Sequence, residues 1–341
     1  MQMFHWRRLR QCGHDAFWPA AGMLLIAAML PLAYVAHAQT SFPTKSLHVI
    51  IPFAPGGSSD FVARIVTAKF AESLGQLAII DNRAGAAGNI GMETAAKSLP
   101  DGYTLFLGNV GTVVINPWIF SSLKVDPLRD FEAVTRLAQV PGLLVTNLSF
   151  PPNTVTELVA YAKSHPGTIN YSSPGVGGAA HMMMELFKIH AKIDFNSIPY
   201  KGGAGQAATA LVGGETSLAF SGIASVISFI KAGRLKALAT LSPNRLASLP
   251  DVPTMIEAGY PSVVDSQWQG IFVPRGTARG VVDRLNSALV DIMQQRDTRE
   301  RLLSGGALSY ATAKPAEFAA FVAEENKRWS AIVKEIGAKV D

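Results

Sequence analysis

LHVIIPFAPGGSSD, residues 47–60, sets out the strand–turn–helix unit on which the rest of the chain is built. An apolar run ends at Pro52, turns through Pro55-Gly56-Gly57 and enters a helical pattern at Ser58-Ser59-Asp60. Glycines without a Cβ let such a turn present backbone N–H groups at a helix start, where unpaired donors and the macrodipole attract anions. The loop contains no Lys, Arg, His or Cys. Its chemistry is therefore that of holding an anion rather than transforming one.

The same strand–glycine–helix scheme recurs outward from this point. Apolar β-branched runs at 48–53, 78–82 and 104–108 each lead into a Gly-bearing turn. Apolar positions at helical spacing predict a helix over 61–74 and a second over 91–99. After Pro141 a second series begins, with strands at 143–146, 169–172, 197–201, 218–221 and 235–240 and helices at 154–164, 179–190 and from Gly203 through Leu211. The chain then returns through a strand at 269–273 and long helical stretches at 279–295 and 315–336, expected to pack back on the first lobe. Alternation of this kind predicts an α/β fold of parallel sheets whose ligands sit beyond the C-terminal strand ends. Leaving one lobe, building a second and returning gives two crossovers and hence a hinged cleft. Residues 39–141 plus 266–341 are assigned to lobe 1 and residues 142–265 to lobe 2.

Four loops would converge on that cleft: 54–60, 82–91, 109–112 and 172–181. Their helix starts aim N–H groups at a shared anion, with Ser and Thr hydroxyls as further partners. A carboxylate fits, because each charge-assisted hydrogen bond contributes about 1.5–3 kcal/mol, and no fixed cation is required. Individual residues keep two readings. Asp60 either complements its helix dipole or touches ligand, and His181 either packs at a helix start or touches ligand. Arg83 either pairs near the hinge or holds ligand, and Trp118 and Trp268 are either core or cleft wall. Met182-Met183-Met184 reads as core. Further wall candidates are Val113, Ile223 and Asp265.

At the amino terminus, Arg7, Arg8 and Arg10 precede a mostly apolar run from Met23 to Val35, and Ala36-His37-Ala38 offers small residues for cleavage before Gln39. Residues 1–38 are therefore read as a signal peptide that is removed, and a periplasmic location is expected. The single cysteine, Cys12, leaves with it, so no disulfide or thiol chemistry is expected. The formal charge of +5 falls to roughly +3. Lys and Arg are scattered without a basic tract, which argues against nucleic acid. The dinucleotide-like Gly175-x-Gly177-x-x-Ala180 fails because Asp194 precedes the next strand instead of ending it. No Gly-x-Ser-x-Gly elbow and no His-Glu-x-x-His occur. The expectation is a non-enzyme with no metal and no cofactor. The rival is an exported hydrolase using Ser173 and His181.

Several blocks, in order, also carry a family resemblance: IPFAPGGSSD (51–60), DNRAGAAGNIG (81–91), PDGYTL (100–105), INYSSPGVGGAAH (169–181), PYKGG (199–203) and LPDVPTMIEAGYP (249–261). The chain beyond the signal resembles the Bug-type extracytoplasmic solute receptors of tripartite tricarboxylate transporters. That resemblance implies a type II periplasmic-binding-protein fold, a cleft closing on a small organic acid, and a carboxylate held by backbone groups and ordered water in the first two loops. Position by position it implies ligand contacts at Ala54, Pro55, Gly56, Gly57, Ser58, Asp60, Ala86, Gly88, Thr112, Ser173 and His181. It departs at Ala208-Thr209-Ala210, where relatives often carry an Asp. The expected partners are a small organic acid and either a membrane permease of the tripartite tricarboxylate type or a sensor protein, with the chain itself a monomer. A carboxylate co-receptor that signals without transport is the alternative.

Overall fold

Ten strands follow one another among the described residues. The first five are β1 (Leu47–Ile51), β2 (Ala78–Asn82), β3 (Thr104–Asn109), β4 (Phe131–Asn147) and β5 (Asn170–Ser173). The rest are β6 (Asn196–Pro199), β7 (Leu218–Gly222), β8 (Leu235–Thr240), β9 (Ser266–Pro274) and β10 (Leu308–Ser309). The computed structural model describes residues 42–340, so the expected signal peptide lies outside the described residues. Among those described, no helix is long and apolar enough to cross a membrane.

β1 lies between β2 and β3 and parallel to both. Only His48 of its five residues is exposed, the pattern of a strand covered on both faces. The sheet does not stay parallel as expected. β9 inserts antiparallel to β3, with Phe106 opposite Phe272, and β4 runs antiparallel to β9. The run expected as a short strand at 143–146 is the end of this 17-residue strand. Its first part was hidden because Glu132, Arg136 and Gln139 interrupt the apolar run, while register shifts between Ala133 and Thr135 and between Arg136 and Ala138 break strict alternation.

β4 changes partners along its length. From Phe131 to Pro141 it pairs with β9, ending at Pro141 opposite Ser266. From Gly142 onward it pairs with β7 on one side and β8 on the other. β5 then lies parallel to β7 and β6. One strand thus belongs to two sheet halves, β2-β1-β3-β9-β4 and β4-β7-β5-β6.

The expected helix over 61–74 is two helices, Ser58–Thr67 and Phe70–Leu74. Lys69 N–H turns back to Val66 O at 3.1 Å, a tighter bond than the α-helical one, and Lys69 Nζ pairs with Asp297 at 2.6 Å. That turn drives Phe70 into the core. Helix Arg279–Gln294 packs on β4 and on the helix Phe70–Leu74. Helix Pro315–Ile336 buries Phe318, Val322, Trp329 and Val333. It packs on β4 and also on the helix Ala179–Ala191 of the other half, where His190 Nε2 lies 3.2 Å from Glu335 Oε1. The carboxy-terminal helix therefore touches both halves and not the first alone. An aromatic cluster anchors it: Phe318 meets Phe272 at 5.1 Å and stands edge-on to Trp268 at 5.8 Å. Gly270 makes this approach possible, since a Cβ there would collide with the Phe318 ring and with Thr135 O at 3.1 Å.

Candidate functional site

The ends of both sheet halves open onto one cavity, with about 80 Å³ of space for the centres of water molecules. Three helices begin at its wall: Ser58–Thr67 after Gly57, Ala179–Ala191 after Gly178, and Ile223–Lys231 after Gly222. None of the three glycines can supply a side-chain cap. By contrast Val155–Ser164, away from the cavity, is capped by the Thr154 hydroxyl on Glu157 N–H at 3.1 Å. The first bonds inside the cavity helices are Phe61 N–H to Gly57 O at 2.9 Å and Met182 N–H to Gly178 O at 3.0 Å. The N–H groups of Ser58, Ser59, Ala179 and Ala180 precede those bonds, so the helical ladder gives them no acceptor, and all four residues line the cavity. Positive helix ends from both halves thus face one space.

Among the described residues no Asp, Glu, Lys, Arg or His lines it. Its polar side chains are Ser58, Ser59, Asn109, Ser172, Ser221 and Gln267. Asn109 is oriented by Thr112, whose N–H donates to Asn109 Oδ1 at 3.0 Å while Thr112 Oγ1 accepts from Asn109 N–H at 3.1 Å. Ser59 Oγ donates to Gln269 Oε1 at 2.9 Å. Ser172 is 1% exposed, and its Oγ finds no hydrogen-bond partner among the described residues. A buried hydroxyl in that state costs free energy until a ligand or water engages it. The halves approach closely at the rim: a Cβ on Gly57 would stand 3.7 Å from Ala204 Cβ, and one on Gly111 would stand 3.9 Å from Ala179 N.

Backbone strain is stored at the same place. Ala86 and Ala87 adopt φ of +46° and +52°, the left-handed region that costs a residue with a Cβ about 1 kcal/mol. The turn is held by Asn116 Nδ2, which donates to Ala87 O at 3.0 Å and to Asn89 Oδ1 at 2.6 Å. Ala87 reaches the main cavity, while Ala86 and Gly88 line an adjoining outer chamber with Tyr200 and Lys201.

Of the residues expected from sequence, Ala54, Gly57 and Ser58 lie in the cavity wall. Ala86 and Gly88 line the adjoining chamber, Pro55 and Gly56 are exposed in their turn, and Asp60, Thr112, Ser173 and His181 are absent from the wall. Asp60 is buried, and its carboxylate accepts from Gly56 N–H at 3.0 Å, Arg64 Nε at 2.8 Å and Asn82 Nδ2 at 3.1 Å. Burial alone would push this carboxyl up, but those donors outweigh it and hold it below its usual value. Pro55 and Gly56 shape the turn that Asp60 ties. Thr112 is fully buried behind Asn109. Ser173 Oγ donates to Gly175 O at 2.7 Å. His181 Nδ1 accepts from Gly177 N–H at 3.3 Å, and burial pushes its imidazole below the usual value. Each of these two side chains thus serves its own loop. Arg83 pairs with Asp81 at 2.7 Å. Val113, Ile223, Asp265 and Trp268 are buried outside the wall, and Trp118 is 48% exposed, donating to Asn326 Oδ1 at 2.9 Å.

Asp60→Ala is expected to destabilise the fold by about 2 kcal/mol, because Gly56 N–H and Asn82 Nδ2 lose a charged acceptor. The folded carboxyl titrates below its ordinary 3.8. This contribution is therefore complete above that pH and lost as pH falls through the lower folded value. Denaturant titrations of both proteins at pH 7 and at about pH 3 check it; an equal gap at the two pH values would contradict it.

Wall residues that the sequence reading did not single out include Ser59, Ala87, Ser221, Gly222 and Gln267. Ser221-Gly222 carried a usable signal, since it ends a strand and opens an apolar helix as Gly57 does. Gln267 carried none, because nothing local shows which face of β9 meets the cavity.

Known proteins resemble this chain over most of its length. Residues 62–338 match the model of the tripartite tricarboxylate transporter family receptor. The chain is similar to Protein BugT of Bordetella pertussis, 36% identical over 301 residues that cover 88% of this chain and 92% of that one. It is similar in structure to R. palustris Rpa4515 with adipate, at a TM-score of 0.84 and 31% identity over 88% of this chain and all of that one. It is similar also to MatC from Rhodopseudomonas palustris with bound malate, at a TM-score of 0.82 and 35% identity over 86% of this chain and all of that one. The chain belongs to the tripartite tricarboxylate transporter receptor family.

Proposed function

We propose that this protein is a periplasmic receptor that captures a small organic carboxylate between two lobes and presents it to a membrane permease of the tripartite tricarboxylate type. One observation carries the reading: glycine-led helix starts from both halves face a single cavity whose wall, among the described residues, holds no charged side chain. An acid group is the ligand chemistry such a wall recognises, because N–H dipoles stabilise a negative charge without a counter-ion. Two similar proteins hold adipate and malate, which supports an organic acid here.

The lobes are residues 39–141 with 266–341, and 142–265. Their junction is proposed at Pro141/Gly142 and at Ser266, where β4 exchanges β9 for β7 and β8. A ligand that touches both halves binds the closed arrangement better than the open one, and only that preference shifts the equilibrium. The protein has no catalytic role in this reading, and the self-serving bonds of Ser173 and His181 leave a hydrolase without its nucleophile–base pair.

A thermal-shift screen against mono-, di- and tricarboxylates tests the proposal. A true ligand at 100 times its dissociation constant is expected to stabilise the fold by about 2.7 kcal/mol. Matched alcohols or amides, which lack the charge, are expected to give no shift. A silent acid panel would count against the receptor reading.

A further inference from the structure

We propose that the outer chamber is an anion-gathering vestibule of the cavity, and that the ammonium of Lys201 concentrates small carboxylates there before they reach the seat. This rests on the carboxylate reading above and adds how the acid is brought in. The two spaces adjoin, because Phe53, Ala54, Ala87, Pro174 and Gly175 line both. Those five are half-buried, whereas Ala84, Gly85, Val176 and Lys201, which line the chamber and not the cavity, are exposed. The chamber therefore lies between solvent and the neck of the cavity. By the measure used for the cavity it offers about 420 Å³, several times the space within.

Charge separates the two walls. Among the described residues the cavity wall carries none, and the chamber wall carries that of Lys201 alone. The backbone around Lys201 is fixed at the rim. Tyr200 N–H donates to Ser173 O at 2.9 Å, and Gly203 N–H closes the turn on Tyr200 O at 3.0 Å. Lys201 itself takes part in no ion pair or side-chain hydrogen bond among the described residues. Charges close by in the chain are engaged. Arg83, next to Ala84, pairs with Asp81 at 2.7 Å, and Glu215 accepts from Tyr200 Oη at 3.2 Å while lining neither space. Open N–H dipoles grip an anion in contact, but their field fades faster with distance than that of a whole charge. An unpaired ammonium at the mouth supplies the reach that the seat lacks. About 7 Å away in water, one unit charge changes the local concentration of a monoanion about threefold. Salt screens that effect.

A single thiol measures that concentration directly. Residues 39–341 contain no cysteine, so Val176→Cys places one in the chamber wall. Its rates of disulfide formation with 2-carboxyethyl, 2-hydroxyethyl and 2-(trimethylammonio)ethyl methanethiosulfonate compare an acid anion, a neutral probe and a cation. Taking each charged rate relative to the neutral one cancels any change in the thiol's own reactivity. In this background, at about 10 mM salt, Lys201→Gln is expected to lower the anion ratio about threefold and raise the cation ratio about threefold. Lys201→Glu is expected to shift each about ninefold, and about 1 M salt to erase the differences. Ratios that Lys201→Gln leaves unchanged overturn the proposal. So does a shift that survives high salt, because it reports an altered shape and not a field. No acid has to occupy the seat in this experiment. Its failure therefore removes the role of Lys201 and leaves the carboxylate seat standing, whereas a silent acid panel removes the seat and leaves the measured field.

Discussion

Gly57→Asp is expected to abolish carboxylate binding, at least a hundredfold in affinity, without loss of stability. Gly57 is the N-cap of the helix Ser58–Thr67 and has φ −89° and ψ 175°, a conformation open to any residue. An added Cβ meets only Ala204 Cβ, at an ordinary 3.7 Å. Asp is among the preferred residues at an N-cap, where its carboxylate accepts from the first-turn N–H groups. The variant would therefore cap the helix that the native protein leaves open. Its carboxylate would occupy the donors meant for the ligand and repel the incoming acid, and like charges in contact cost several kcal/mol. Thermal denaturation should show a midpoint equal to or slightly above the parent. Calorimetry with the best acid from the screen should show no heat of binding. Gly57→Ala, with neither cap nor charge, is the control and should bind within a few-fold of the parent. Unchanged affinity in the Asp variant would remove the anion seat from residues 57–59.

Trp268→Ala should produce the largest stability loss, about 3–5 kcal/mol, with ligand affinity preserved. Trp268 is 1% exposed, packs edge-on to Phe318 and Phe321, and donates its indole N–H to Glu325 Oε2 at 3.2 Å. Strand alternation explains its place. Gln267 lines the cavity, so Trp268 beside it points to the opposite face of β9, into the carboxy-terminal helix. Removing the ring leaves a large void where that helix meets the sheet, and leaves Glu325 with Arg328 Nη1 but without the indole donor on Oε2. Because total stabilities of such domains are about 5–15 kcal/mol, the denaturant midpoint should fall by a large fraction. Binding measured at low temperature on the folded variant should stay within twofold. Lost affinity without lost stability would instead make Trp268 a ligand contact.

Much of the architecture was legible because its signals are local. The alternation of apolar runs with Gly-bearing turns placed the strands, and helix 315–336 emerged with its predicted bounds because its apolar spacing is long and unbroken. Partner choice was not legible in the same way. Whether β9 pairs parallel or antiparallel to β3 depends on hydrogen bonds between residues some 160 positions apart, on which local spacing is silent. The seventeen residues of β4 exceed the expected strand at 143–146 because Glu132, Arg136 and Gln139 mix polar with apolar positions and its register shifts break the alternation.

The candidate site divides along the same line. Its glycine-led turns and the scarcity of charge in the loops around them are properties of short segments, so the linear chain by itself determined that backbone amides would be left open at several helix starts. Which side chains stand among those amides depends on how the two halves pack. Asp60, Thr112, Ser173 and His181 lie on the right loops, yet each hydrogen-bonds to neighbouring protein groups: Asp60 to Gly56, Arg64 and Asn82, Thr112 to Asn109, Ser173 to Gly175 and His181 Nδ1 to Gly177. Ser172, Gln267 and the alanine face of helix 203–213 reach the cavity through the parity of a strand and the rotation of a helix. Those are set by packing across the two halves, since a strand exposes either face and a helix any face until a partner covers one.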